Sequence, residues 1–298
     1  MAQPGPQDER RPLTRPADQP SSFLRRQAGA IKRCAIAASY PLRGIWFFVR
    51  SGEYWPLFFG RLLPLSLISC LVYLILFTFA FLPQLAFLAI FQGRGAWVNA
   101  TFLVLGEGLV IIQGLFEGFF VDECRVDVFD ATLIKLSWTD LVSPHRVLYP
   151  DAPNAVKMLG KPTSSAVYTP WSIVQIVELA CCLPLNFIPW FGTPMFVIIT
   201  GTRLGKLSHY RWFQLRGFSK QERKVEAKRL AWEDVWFGTV AMILELIPIL
   251  SFFFLLTTTA GAAMWTVRIE EGRRSVVSEE AERAGGPSEQ PPAYTDVV

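Results

Sequence analysis

The sequence predicts an all-α integral membrane protein: two long transmembrane helices, two re-entrant helical hairpins broken at proline, and an amphipathic interfacial segment near the N-terminus. Three observations predict it. Uncharged runs are long, with 32 residues between Arg61 and Arg94, 24 between Glu178 and Arg203, and 22 between Glu245 and Arg268. About 18 apolar residues without charge already suffice for a membrane helix. Prolines interrupt the second and third runs at Pro184, Pro189 and Pro248. Basic residues are bunched between the runs, in a chain of 298 residues that is 51% hydrophobic and only 18% charged.

The elements follow in chain order. Residues 1–22 hold five prolines and no apolar stretch, so they read as a disordered cytosolic tail, not as a secretory signal. The helical membrane domain is placed at 23–275. Its first part mixes Arg25, Arg26, Lys32, Arg33, Arg43 and Arg50 with Ile31, Ile45, Trp46 and Phe47, the composition of a segment lying along anionic headgroups. Leu62–Gln92 is the first deep run, about 46 Å as helix against a hydrocarbon core of roughly 30 Å, and Pro83 kinks or ends it. After the polar Gln92–Gly95 turn the chain returns through Trp97–Val121. At 100° per residue, Asn99, Gly106, Gln113 and Glu117 share one side, flanked by Glu107, Gly114 and Gly118. Such a stripe must face protein, and Gly114 and Gly118 form a GxxxG that permits close helix packing.

Residues 122–170 read as a polar connection with six acids and five Lys or Arg. Trp171–Thr202 and Val235–Val267 are the remaining apolar runs, separated by the basic segment 203–234. Lys and Arg number ten in residues 1–61, one in the 92–96 turn, five in 122–170, nine in 203–234 and four in 268–298. Short basic connections stay in the cytosol. That rule holds for the nine-cation segment only if Trp171–Thr202 dips in and returns, turning at Pro184–Pro189. Each arm is then about 20 Å of helix, too short to span. Val235–Val267 bends near Pro248 by the same argument, and both termini are cytosolic.

Candidate chemistry is sparse. Glu107, Glu117, Glu178 and Glu245 are acids at membrane depth, able to relay protons or hold a cation, or else to satisfy backbone freed at a break. The two histidines, His145 and His209, are not spaced with cysteine or carboxylate for a metal, and His209 with its neighbouring cations and aromatics reads as an interfacial anchor. Cys34 and Cys124 lie near membrane entries, where palmitoylation is conceivable; Cys70, Cys181 and Cys182 read as apolar packing. No phosphate-binding loop, nucleophile elbow or dinucleotide fingerprint is present. An enzyme, a cofactor, a metal and a nucleic-acid partner are accordingly not expected. Membrane lipids are the expected partners, and a homo-oligomer is compatible with the sequence. The acidic tail 276–298 reads as disordered and carries Pro291-Pro292-Ala293-Tyr294, a PPxY sequence suited to a WW-domain groove, hence to a WW-containing ubiquitin ligase.

Three short patterns resemble the etoposide-induced-protein/CysZ superfamily: Trp55-Pro56 with Arg61-Leu62-Leu63-Pro64, Leu185-Asn186-Phe187-Ile188-Pro189-Trp190-Phe191-Gly192-Thr193, and Leu246-Ile247-Pro248 before a Thr/Ala/Gly-rich helix. Tyr40-Pro41-Leu42-Arg43-Gly44 and the stretch Gly201-Thr202-Arg203 to Arg216-Gly217 look more like its fungal branch of outer-spore-wall and lipid-droplet proteins. The resemblance covers about residues 38–270. It implies two full crossings with half-penetrating hairpins, residence in the endoplasmic reticulum or on lipid droplets, and a structural or lipid-associated role, spore-wall assembly included. The bacterial members imply an alternative, a permease for a small anion such as sulfate. Their Gly-Leu-Arg anion motif is replaced here by Phe58-Phe59-Gly60-Arg61-Leu62-Leu63-Pro64.

Overall fold

The computed structural model describes residues 20–112, 121–163, 166–168, 173–182, 184–185, 188, 191–247 and 250–284. The chain is predominantly helical. Helix α1 (Pro20–Arg50) and the short α2 (Trp55–Leu57) lead into α3 (Leu63–Phe79), α4 (Phe81–Gln92) and α5 (Ala96–Ile112). A polar stretch holds α6 (Asp122–Lys135), α7 (Thr139–Val142), strand β1 (Arg146–Leu148), α8 (Ala155–Met158) and β2 (Leu159–Pro162). Helices α9 (Ile173–Cys182), α10 (Gly192–Ser208), α11 (Tyr210–Leu215), α12 (Lys220–Arg229), α13 (Ala231–Glu245) and α14 (Ser251–Ala284) complete the chain.

Prolines set the breaks in the first run. Pro64 offers no N–H to the Gly60 carbonyl, and the preceding turn, Phe58–Leu62, widens to π geometry. Pro83 likewise leaves the Phe79 carbonyl without its donor, and the helix is interrupted at Ala80 between α3 and α4. Gly93, at φ 55, then turns the chain through the 3-10 segment Gly93–Gly95.

Each apolar run folds back on itself. Gln84 Nε2 donates to Glu107 Oε1 at 2.7 Å, which a straight helix would hold more than 30 Å apart, so α4 and α5 are antiparallel arms. Arg203 reaches Glu178 at 3.4 Å, closing α10 onto α9. Phe237 stacks on Trp265 with centroids 5.1 Å apart, closing α13 onto α14. Among the expected breaks, Pro184 lies in a short exposed 3-10 turn, whereas Pro189 and Pro248 fall outside the described residues.

Two helical stretches, Phe81–Ile112 and Ser251–Arg283, are long and apolar enough to cross a membrane. They differ in what surrounds them. The first folds at Gly93, and only 50% of its apolar window is buried in protein. Leu67, Leu71, Leu74 and Phe79 on α3, Leu82, Ile90 and Phe91 on α4, and Trp97 and Val98 on α5 are all exposed. At roughly 2 kcal/mol for each such side chain, a face of this kind is incompatible with water. The second is 72% buried. Every residue of its apolar half, 251–267, is buried except the half-buried Phe253 and Met264. A helix that is apolar all round is either a membrane span or the centre of a larger body. Here it is the centre, packed by α1, α6 and α13. Buried Thr257, Thr258, Thr259 and Thr266 satisfy their hydroxyls on carbonyls three or four residues back.

Glycine fixes two of these packings. On α10, Gly201 and Gly205 form a GxxxG that meets Gly238 of α13, where a Cβ at Gly238 would overlap the Gly201 carbonyl. Gly44 of α1 faces Gly261 of α14 in the same way. The α10 motif went unread in the sequence, while Gly114 and Gly118 lie outside the described residues.

Helix α1 docks along α13 and α14, burying Ala37, Tyr40 and Phe48 while Ile31, Leu42 and Trp46 stay exposed. Two expectations are corrected. The 122–170 connection is a folded unit whose helix α6 buries Val126, Val128, Phe129 and Leu133. The C-terminal helix continues past residue 275 to Ala284. The glycine contacts give a test. Gly238→Ala should lower thermal stability by about 1–3 kcal/mol through overpacking, whereas Gly29→Ala, with nothing within 4 Å of the new Cβ, should leave it unchanged or raise it by about 0.5–1 kcal/mol. Thermal unfolding of detergent-solubilised protein measures both.

Candidate functional site

The sequence-predicted acids do not converge. Glu107 is half-buried and held by Gln84. Glu178 is 58% exposed and pairs with Arg203, so its charge is met at the surface of the hairpin. Glu245 is 3% exposed at the end of α13, near Tyr168. Glu117, with Pro291, Pro292 and Tyr294, falls outside the described residues. Among the described residues no three His, Cys, Asp or Glu side chains are grouped to hold a metal.

Polar atoms instead concentrate in a buried ionic body. Asp130, fully buried on α6, accepts from Arg211 Nε at 3.0 Å and Arg211 Nη2 at 2.6 Å, and from Arg146 Nη1 at 3.2 Å. Arg146 also pairs with Asp127 and donates from Nε to the Gly160 carbonyl at 2.7 Å, which ties β1 to β2. Two carboxylates and two guanidiniums thus form a neutral quartet. Bidentate, charge-assisted geometry offsets the desolvation of the three buried charges, Asp127 being the half-buried fourth.

A second centre is Glu270 on α14, also fully buried. It accepts from Trp212 Nε1 at 2.7 Å and Arg216 Nε at 2.8 Å, and it holds Arg216 still more firmly in its charged form. Arg273 lies over Trp212 and Phe218, each 5.2 Å away, and reaches Glu226 at 2.9 Å. A third centre joins Arg125 to Thr259 at 3.3 Å and to the face of Tyr168 at 4.1 Å. Burial raises the Tyr168 hydroxyl above its usual range despite the opposing charge of Arg125.

His209 is not an interfacial anchor. It is 1% exposed, with its ring 4.4 Å from that of Trp265, and Nε2 stands 3.3 Å from Asp234 Oδ1. The two atoms are close but misaligned, and no hydrogen bond forms between them. Cys124 is likewise fully buried and closed to acylation as folded, while Cys181 is exposed, not packed.

These pairs join segments far apart in sequence. Arg211–Asp130 links 203–234 to 122–168, Arg216–Glu270 links it to the end of α14, Arg33–Glu233 links it to α1, and Lys135–Glu53 adds the turn after α1. A cavity of about 1140 Å³ opens between α1, the α12–α13 junction and the charged half of α14. Sequence reading missed the ionic body. The signal was there in Asp127 and Asp130, set within Val126, Val128, Phe129, Ala131 and Leu133, the same isolated-acid pattern that singled out Glu178 and Glu245.

Comparison with protein-family models, with curated proteins and with solved structures finds no match to this chain. The ionic body therefore has to be tested on its own terms. Asp130→Asn removes one charge from the quartet and strands the buried Arg211 guanidinium, while Arg146 keeps Asp127. It should cost about 3–5 kcal/mol of stability. Replacing Asp130, Arg146 and Arg211 together with Leu, Met and Met should recover most of that loss. Denaturant unfolding followed by tryptophan fluorescence compares the two variants.

Proposed function

We propose that the chain is a non-enzymatic integral membrane protein of the endoplasmic reticulum and its lipid droplets. It is anchored by the α3–α5 hairpin and carries a cytosolic, lipid-associated helical body. One observation carries this reading: ion pairs connect all four polar segments. Charged groups that touch must share one side of a membrane, so every apolar run between them leaves that side and returns. The exposed apolar side chains of α3, α4 and α5 supply the anchoring surface. Helices α9, α10 and α13 are about 15–25 Å long and suit shallow, re-entrant insertion, and the exposed face of α1, with Trp46, suits the headgroup layer. On this topology both termini are cytosolic, and Pro291, Pro292 and Tyr294 meet WW-containing ubiquitin ligases there. The structural role, spore-wall assembly included, rests on the resemblance to the fungal branch of the etoposide-induced-protein/CysZ superfamily.

A permease for a small anion such as sulfate draws on a different observation, the polar contacts inside the apolar layer: Gln84 with Glu107, and Asn99 with Gln92 and Thr193. Glu107, Glu178 and the buried Glu245 nevertheless have separate surroundings, which supports the anchoring role over a shared path.

Single cysteines placed at Lys161, Lys220 and Val276 in a cysteine-free chain should label from the same face of sealed microsomes. Labelling of position 220 from the face opposite to 161 would overturn the topology. Residence turns on Arg94, exposed at the hairpin tip. An arginine at membrane centre costs about 2.5–3.5 kcal/mol or more, a cost avoided where the tip reaches the far headgroups of a bilayer but not in the oil of a droplet. Arg94→Leu should therefore raise the droplet-bound fraction of tagged protein after fatty-acid feeding. An unchanged fraction would show that the tip does not set residence.

A further inference from the structure

The cavity beside the charged half of α14 has a wall of arginines over an apolar floor. Arg33 comes from α1, Arg216 from the end of α11, Arg229 from α12, and Arg268, Arg273 and Arg274 from α14. No lysine lines it. The acids these arginines touch do not balance them. Glu233 meets Arg33, Glu270 meets Arg216, and Asp140 meets Arg274, one for one. Glu226 serves both Arg229 and Arg273, while Arg268 is exposed and pairs with no described residue. Within these pairs the six arginines thus outnumber their acids by two. A phosphate monoester carries about −1.5 to −2 at neutral pH, and a planar guanidinium fork matches its oxygens. A phosphodiester, with a single charge, leaves half of the surplus unmet.

The floor is of another kind. Ile269, Val276 and Val277 face the cavity, and Val276 and Val277 are exposed within an otherwise charged helix end. Unpaired arginine charge beside apolar contact area describes a ligand with a charged head and an acyl body.

We infer that this cavity binds a lipid phosphomonoester, of the phosphatidate class, with its phosphate on Arg268 and Arg33 and its acyl chains over Val276 and Val277. The inference rests on the membrane-anchored reading and names the lipid its body engages. Arg216 and Arg273 hold internal pairs and orient the wall. Arg268 is free to close on the ligand, and Arg33, whose own side chain is 65% exposed, turns from Glu233 to the phosphate.

The test is calorimetric titration of full-length protein in neutral detergent with dioctanoyl phosphatidate, dioctanoyl phosphatidylserine, dioctanoyl phosphatidylcholine and glycerol 3-phosphate. Phosphatidate should bind at least about tenfold tighter than each of the others, the worth of one charge-assisted contact. Arg268→Gln with Arg33→Gln should remove that preference. Val277→Ser, at an exposed position, should weaken phosphatidate while sparing glycerol 3-phosphate. Equal affinity for phosphatidylserine would reduce the site to general surface charge and overturn the inference. Equal affinity for glycerol 3-phosphate would assign the cavity to free phosphate compounds, which overturns it as a lipid site. An unaltered preference in the double glutamine variant would place binding elsewhere. Alkaline carbonate extraction separates the two readings. Protein that resists extraction but ignores phosphatidate sinks the cavity inference alone, and protein that is stripped yet binds it sinks the anchoring.

Discussion

The contact between Asp130 and two arginines, Arg146 and Arg211, is the constraint on which the rest of the structure depends. A buried carboxylate tolerates its burial only while both guanidiniums stay in place. Arg146 belongs to the strand that follows α6, and Arg211 to the segment beyond the second apolar run. Holding all three together makes that run return to where it began. Glu270 repeats the logic for the third run, since Arg216 and Trp212 reach it from the segment that precedes α13. Electrostatics inside the body thus dictates geometry outside it, and the reversal of each run follows from which charges must meet.

The helices at the centre and at the periphery divide two tasks that hydropathy alone does not distinguish. Helix α14 and the α3–α5 hairpin are both apolar, yet one is enclosed by α1, α6 and α13 and the other shows its side chains to the surroundings. Back-bonded threonines and the Gly44–Gly261 contact suit α14 to tight packing. Leucines and phenylalanines on the outside of the hairpin suit it to acyl chains, because branched and aromatic bulk is of use there without any partner to fit.

Much of this was legible in the residues. The helical, membrane-suited character of the chain follows from charge-free length, and the turn at Gly93 from a local glycine signal of backbone chemistry. The ionic body was not legible, because its content is pairing. Asp130 and Arg211 lie 81 positions apart, and a charged residue in a polar segment looks solvated until its partner is known. The same limit hid His209, whose cationic and aromatic neighbours suit a headgroup layer and a buried cluster equally. Composition told where apolar material lies, but it did not tell that residues 251–267 are wrapped by protein or that α1 docks along them.

The central position of α14 has a bearing on how the chain acquires its fold. The helix at the middle of the body is synthesised after each of the elements that pack on it, and well after α1, which lies along it through Gly44 and Gly261. The body therefore cannot close cotranslationally around a finished core. Until residue 284 has emerged, the faces of α1 and α6 that await α14 stay uncovered, and Trp212 and Arg216 lack the Glu270 carboxylate. Contacts of such large sequence separation form slowly and expose sticky surface meanwhile. Truncation anywhere before Glu270 would leave a hairpin already able to enter a membrane joined to a body unable to assemble, a natural substrate for quality control.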